Sequence, residues 1–247
     1  MSSENVPSPR LPVVGIGASA GGLEALREML STARGPTGMA FVIVQHLDPT
    51  HESMMAQLLD RHTTLEVLQS EGGEKIAADK VYIIPPGHGL AICDGVLELT
   101  EFAQPRGLRR PIDDFFISLA TDQQGDAACV ILSGTGADGT TGLRAIKENG
   151  GVCLVQQPES ARYDGMPLSA VGTGLVDYVK SPGDMVDCLI AFFNHRAIDA
   201  AEREAALVAD HVDEMCKTLR AAVGHDFSGY KRTTLILSLI HISEPTR

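Results

Sequence analysis

The run Leu11-Pro-Val-Val-Gly-Ile-Gly-Ala-Ser19-Ala-Gly-Gly22 constrains the fold of this 247-residue chain more than any other stretch. Val13, Val14 and Ile16 favour a strand, and glycines at 15, 17, 21 and 22 remove Cβ clashes. Apolar residues then recur at helical spacing through Leu23-Glu-Ala-Leu-Arg-Glu-Met-Leu30. The segment therefore reads as a strand, a tight turn and a helix N-terminus. The turn carries almost no side chains and leaves one small hydroxyl on it, Ser19.

Three chemistries compete for such a turn. Gly15-x-Gly17-x-x-Ala20 fits the phosphate-binding fingerprint of a dinucleotide site. That fingerprint also needs an acidic residue ending the second strand. The second apolar run, Phe41-Val-Ile-Val44, ends instead in Gln45-His46, with Asp48 lying past it. Gly17-Ala-Ser19-Ala-Gly21 also satisfies the G-x-S-x-G elbow of α/β-hydrolases, whose partners follow in the order Ser, acid, His. Here the plausible histidine comes first. The third reading is a Ser-His-Asp site in another chain order. It draws on His46 and on Asp138, which follows the apolar run Ala127-Ala-Cys-Val-Ile-Leu132 in Ser133-Gly-Thr-Gly-Ala-Asp138-Gly139.

In an open parallel α/β sheet the strand C-termini share one edge, so residues distant in sequence can meet there. Acyl transfer needs a base to take the hydroxyl proton and a carboxylate to hold the imidazole, and these residue types supply both. Each residue also has a bland explanation: Ser19 as a helix N-cap, His46 as a satisfied loop histidine, Asp138 as a turn former beside Gly139. Spacing alone leaves catalysis and a phosphate-binding loop level.

The motifs G-x-G-A-S-x-G-G, Q-H and G-x-G-x-D-G occur in this order at Gly15 to Gly22, Gln45-His46 and Gly134 to Gly139. Together they resemble the catalytic domain of the chemotaxis protein-glutamate methylesterase (CheB-type) family. The similarity continues through Val81-Tyr-Ile-Ile-Pro-Pro-Gly87, Arg110-Pro-Ile-Asp-Asp-Phe-Phe116 and Asp164-Gly-Met-Pro167, covering residues 11 to 180. The resemblance implies hydrolysis of γ-glutamyl methyl esters on helices of chemoreceptor-like proteins, releasing methanol, with deamidation of glutamine in some members. It also implies Ser19 as nucleophile, His46 as general base and then acid, and Asp138 as the carboxylate orienting His46. The backbone N–H groups of Ala20 and Thr135 would hold the oxyanion. Two positions depart from the family pattern: Ala20 stands where the best-known members have Thr, and Thr135 where they have Met. Backbone donors tolerate both changes, while receptor specificity stays open.

Alternation of strand and helix signals predicts a doubly wound, mainly parallel sheet with helices on both faces. Strands are expected at 11–17, 39–44, 64–69, 81–84, 127–132, 152–156 and 175–179, and helices at 22–31, 50–61, 111–123 and 140–149. Leu90 to Leu99 reads as an antiparallel hairpin insertion, because Asp94-Gly95 between apolar pairs is a favoured two-residue turn. Gln156 to Pro167 is expected to wall the pocket, Met166 and Pro167 narrowing its entrance; equally, Pro167 starts a helix over 168–172. Arg106, Arg109 and Arg110 cluster before the helix at Pro111. They form either a loop facing a glutamate-rich substrate helix, with Arg110 a substrate contact, or a solvated loop.

A hydrophobic content of 44% suffices for a full core. No run is long and apolar enough to span a bilayer, and residues 1–10 read as a flexible leader without a secretory signal. The expected location is the cytoplasm. A net charge of −12 argues against nucleic acid as a partner. The five cysteines, at 93, 129, 153, 188 and 216, are widely spaced and read as reduced core residues, three of them within apolar runs. The eight histidines, His46 and His51 included, lack a metal-ligand pattern, so neither a metal nor another cofactor is expected.

The catalytic domain is expected over 11–195 and a helical linker over 196–223. Gly224 to Leu235 is similar to the opening of the N-terminal subdomain of the chemotaxis receptor methyltransferases. That second resemblance implies a methylesterase-methyltransferase fusion, truncated here, with a methyltransferase domain in the same full-length chain as a possible partner. Residues 236–247 depart abruptly from that pattern and read as a non-native tail, an aggregation hazard rather than a functional feature. The receiver domain of free-standing relatives is expected to be absent, leaving regulation to neighbouring domains or a partner. A catalytically silent adaptor that binds receptor helices or a methyltransferase, and a nucleotide-binding domain, are the rival functions.

Overall fold

The structure is a computed structural model that describes residues 10–45, 54–102, 104, 105 and 107–223, with backbone alone over 203–220, 222 and 223. Two compact units divide it, Met1–Ala191 and Phe192–Arg247. The first contains the sheet. Its strands are β1 (Val13–Ala18), β2 (Ala40–Gln45), β3 (Glu66–Gln69), β4 (Lys80–Ile83), β7 (Ala127–Ile131), β8 (Val152–Gln156) and β9 (Tyr178–Lys180). They align in the order β3-β4-β2-β1-β7-β8-β9. All six pairings are parallel. A separate two-stranded antiparallel sheet is formed by β5 (Gly89–Cys93) and β6 (Val96–Thr100). This is the doubly wound sheet with a hairpin insertion expected from the sequence.

The central strands are apolar runs rather than alternating ones because both faces of a parallel sheet are covered. Every residue of β1 is buried. Val13, Ala40, Val42 and Val44 pack in one cluster with Ile112, Phe115, Phe116 and Leu119. These four belong to α3 (Pro111–Gln123). Val14, Ile16, Phe41 and Ile43 are also fully buried, outside that cluster. Burying each large aliphatic or aromatic side chain contributes about 1.5–3 kcal/mol. The remaining helices are α1 (Gly22–Ser31), α2 (Met55–Asp60), α4 (Thr140–Glu148), α5 (Gly165–Val171) and α6 (Pro182–Val223). No helix among the described residues is long and apolar enough to cross a membrane.

The hairpin turns as its sequence requires. Asp94 and Gly95 have φ of 50° and 72°, the doubly left-handed pair of a type I′ turn. The Gly95 N–H donates to Asp122 Oδ2 at 3.2 Å and the Ile92 N–H to Ser118 Oγ at 3.1 Å, fastening the hairpin to α3.

Two elements depart from the sequence expectations. The helix placed at 168–172 begins at Gly165, so Pro167 is its third residue rather than its first. First-turn N–H groups have no intrahelical acceptor, which makes proline tolerable there. The strand expected at 175–179 is Tyr178–Lys180. Leu175 and Val176 pack on the core first, and the Asp177 carboxylate takes the Cys153 N–H at 2.8 Å before pairing with β8 starts. Within the helix expected at 50–61, α2 covers Met55–Asp60, and residues 50–53 lie outside the described set. Cys129 and Cys153 are buried register partners on β7 and β8 with free thiols, their Sγ atoms 3.1 Å apart. Burial raises the pKa of Cys129. Cys93 is exposed.

Candidate active site

The chain switches direction at β1: β2 lies on one side of it and β7 on the other. Such a switch point, at the C-terminal ends of the strands, is where open α/β sheets bind ligands. Ser19 leaves β1 at that point and is half-buried. Its N–H donates to the Ser133 carbonyl at 3.0 Å, and its own carbonyl accepts the Gly22 N–H at 2.9 Å. Gly21, at φ 72°, is the N-cap of α1, and no side chain caps that helix. Ser19 is therefore no N-cap, which removes its bland explanation. A Cβ on Gly21 would stand 2.8 Å from Ser133 Oγ, so only glycine lets the turn close this tightly.

Ser133 joins three loops. Its hydroxyl donates to the Ala20 carbonyl at 2.9 Å and accepts the Tyr163 N–H at 3.0 Å, and its N–H donates to Gln156 Oε1 at 2.9 Å. The Gly134 N–H donates to the Tyr163 carbonyl at 3.0 Å, and the Met166 N–H to the Gly134 carbonyl at 2.9 Å. Gly134 lies so close to the nucleophile turn that a Cβ on it would come within 2.9 Å of Ser19 Cβ and 2.1 Å of Met166 Sδ. Sequence reasoning missed Ser133 and Gly134 as site supports, and placed Gln156 in a pocket wall where it is instead buried as the acceptor of the Ser133 N–H. A signal existed: β2 and β8, flanking β1 and β7, both end in glutamine. Gln45 Nε2 donates to the Ser19 carbonyl at 3.4 Å, and its Oε1 is buried with no hydrogen bond.

Asp138 is buried at the end of the loop leaving β7, the strand next to β1. Its Oδ1 accepts the Asp113 N–H at 3.0 Å and its Oδ2 the Ile112 N–H at 3.2 Å. The carboxylate thus sits on the N-terminus of the 13-residue α3, where free N–H groups and the helix dipole favour negative charge. It does more than form a turn beside Gly139. Burial raises the pKa of Asp114 in the same helix turn, with the Asp138 charge adding to it.

The N–H groups of Ala20 and Thr135, both expected as oxyanion donors, make no hydrogen bond among the described residues. Thr135 is exposed and follows the Gly134 contact with Ser19. Arg110 is the exposed N-cap of α3, its Nη1 3.6 Å from Asp113 Oδ2. Met166 does not narrow an entrance. It is fully buried beneath Gly134, where it supports that turn. Arg109 Nε donates to the Gln104 carbonyl at 2.9 Å, with its guanidinium 4.3 Å from the Phe102 ring centroid. Arg106 lies outside the described residues. So does His46, directly after the end of β2 at Gln45. No group of three or more His, Cys, Asp or Glu that could hold a metal occurs among the described residues.

Comparison with known proteins places this arrangement. The model of the CheB methylesterase family matches residues 14–189. An uncharacterized 104.1 kDa protein of Rhodobacter capsulatus is 45% identical over 123 residues, half of this chain but 13% of that protein. A putative protein-glutamate methylesterase/protein-glutamine glutaminase of Leptospira interrogans is 34% identical over 167 residues, 67% of this chain and 86% of that protein. A protein-glutamate methylesterase/protein-glutamine glutaminase of Desulfotalea psychrophila is 32% identical over 184 residues, and the chain spans half of its length. The crystal structure of the Thermotoga maritima CheB methylesterase catalytic domain superposes with a TM-score of 0.67 at 29% identity. It covers 74% of this chain and 99% of that one. By its motifs, its sheet order and the span of the family match, the chain belongs to the CheB methylesterase family.

Proposed function

We propose that this protein hydrolyses γ-methyl esters of glutamate on chemoreceptor-like proteins, with Ser19, His46 and Asp138 as a catalytic triad. The observation that carries the reading is the convergence at the C-terminal ends of β1 and β7. Ser19 stands on a turn that does not use its hydroxyl as a cap, beside two backbone N–H groups that make no hydrogen bond among the described residues and one strand from a buried carboxylate.

In this reading Ser19 Oγ attacks the ester carbonyl carbon while His46 takes the hydroxyl proton. The carbonyl oxygen becomes an oxyanion held by the N–H groups of Ala20 and Thr135, each worth about 2.7–4 kcal/mol by analogy with other oxyanion donors. Collapse breaks the bond to the methoxy group, which leaves as methanol with the proton from His46. Water then attacks the acyl-serine, giving its proton to His46, and Ser19 Oγ leaves as the hydroxyl, freeing the glutamate. Asp138, held on the α3 N-terminus, fixes the tautomer of His46 and stabilises the imidazolium. A glutamine side chain would follow the same steps with ammonia as leaving group. A cytoplasmic location and a methyltransferase domain in the same full-length chain belong to this proposal.

The test is methanol release from a methylated receptor fragment by the unchanged chain and by Ser19→Ala. Release lost in the variant supports the reading. Equal release by both removes Ser19 as nucleophile, and retained receptor binding without release by either leaves the adaptor.

A further inference from the structure

We propose that Asp113 is the positioning residue for the Asp138 carboxylate, clamping the N-termini of α3 and α4 together around it. Both helices meet Asp138. Its carboxylate rests on the Ile112 and Asp113 N–H groups of α3, and its backbone runs through Gly139 directly into α4. The α4 N-cap cannot supply its own capping side chain. It is Gly139 at φ 98°, and a Cβ there would come within 3.0 Å of Ile112 Cγ2.

The missing acceptor comes from the neighbouring helix. Asp113 Oδ1 accepts the N–H of Gly142, the third residue of α4, at 2.8 Å. That is the bond an N-cap side chain would normally make. The two helices close tightly at the same place, because a Cβ on Gly142 would meet Phe116 Cβ at 2.4 Å. Asp113 is 3% exposed, and its Oδ2 makes no hydrogen bond, with Arg110 Nη1 3.6 Å away. A simple cap could be exposed and neutral; an acid kept here at a desolvation cost indicates a place where geometry matters. Burial, with the nearby Asp138 charge adding to it, pushes the Asp113 carboxyl above the usual range, against the Gly142 bond that lowers it. Asp113 thus fixes α4 against α3 through its side chain, while its own N–H holds Asp138.

The kinetic arm of the test rests on the methylesterase reading; the exchange arm does not. Methyl-ester hydrolysis and amide hydrogen exchange are compared in the full chain for wild type, Asp113→Ala and Asp113→Asn. Asp113→Ala is expected to lower kcat per folded molecule about tenfold to a hundredfold with KM unchanged, the size of loss a misplaced catalytic group brings. Exchange at Gly142 and Ile112 should accelerate with it. Asparagine keeps an oxygen for the Gly142 N–H, so Asp113→Asn should return kcat and exchange close to wild type. Unchanged kcat in Asp113→Ala, or an Asn variant as impaired as the Ala one, overturns the positioning role. Unaltered exchange at Gly142 in Asp113→Ala overturns the clamp whatever the activity. A wild-type chain inactive on the ester, with the expected exchange pattern, supports the clamp and overturns the methylesterase reading alone.

Discussion

The loops around Ser133 and the loop ahead of α3 border the same helix N-terminus but are held in opposite ways. Around Ser133, backbone groups of Ser19, Ala20, Gly134, Tyr163 and Met166 are joined loop to loop by hydrogen bonds of 2.9–3.0 Å. Ahead of α3, Leu108 is 63% exposed, and Arg109 is held by one bond to a carbonyl and by the Phe102 ring. The first arrangement suits chemistry, because a reacting group must stay within a fraction of an ångström of its partners. In the proposed reading the second, with Arg110 exposed and Arg109 half-buried, would meet the receptor surface. The two parts are thus restrained to different degrees, as a division between reactivity and recognition in the proposed reading requires.

The comparison breaks most sharply at Gly134. Gly134→Ala puts a methyl between Ser19 and the fully buried Met166, so one of them must move. Turnover of a methyl ester is expected to fall about a hundredfold and stability by about 1–3 kcal/mol, read by steady-state kinetics and urea unfolding. Ser133→Ala comes next. It strands the Tyr163 N–H and frees the Ala20 carbonyl, which should cost about 1–3 kcal/mol, with kcat falling more than KM rises.

Arg109→Ala sharpens the contrast from the other side. Losing the contact with Phe102 is worth about 0.5–1 kcal/mol. KM for a receptor fragment should rise a few-fold with kcat held; a loss of kcat as large as that of Ser133→Ala would erase the distinction. Gly95→Ala, at φ 72° in the hairpin turn, should lower the unfolding free energy by about 1 kcal/mol and leave both kinetic constants alone.

Much of the sheet was legible because its residues are constrained locally. The helix at 111–123 and the strand at 152–156 have the expected bounds, and the Asp94-Gly95 turn follows from two positive φ angles. The misses share a cause. Met166 reads as a rim residue because it follows a strand at the active edge, yet α5 begins two residues before Pro167 and turns Met166 inward under Gly134. Ser133 reads as one small residue in a Gly-rich loop, and its role exists only once Ala20 and Tyr163 arrive from elsewhere.

The amino-acid sequence by itself determined the alternation of strands and helices, the Gly-rich turn that presents Ser19 and the hairpin, since propensity, periodicity and φ preferences act over a few residues. The tertiary structure decided that β1 and β7 are neighbours, that Asp138 rests on α3 rather than capping α4, and that Asp113 supplies the cap that Gly139 cannot. Those assignments depend on which backbone donors are left over after the sheet has formed, and that is a property of the packed whole.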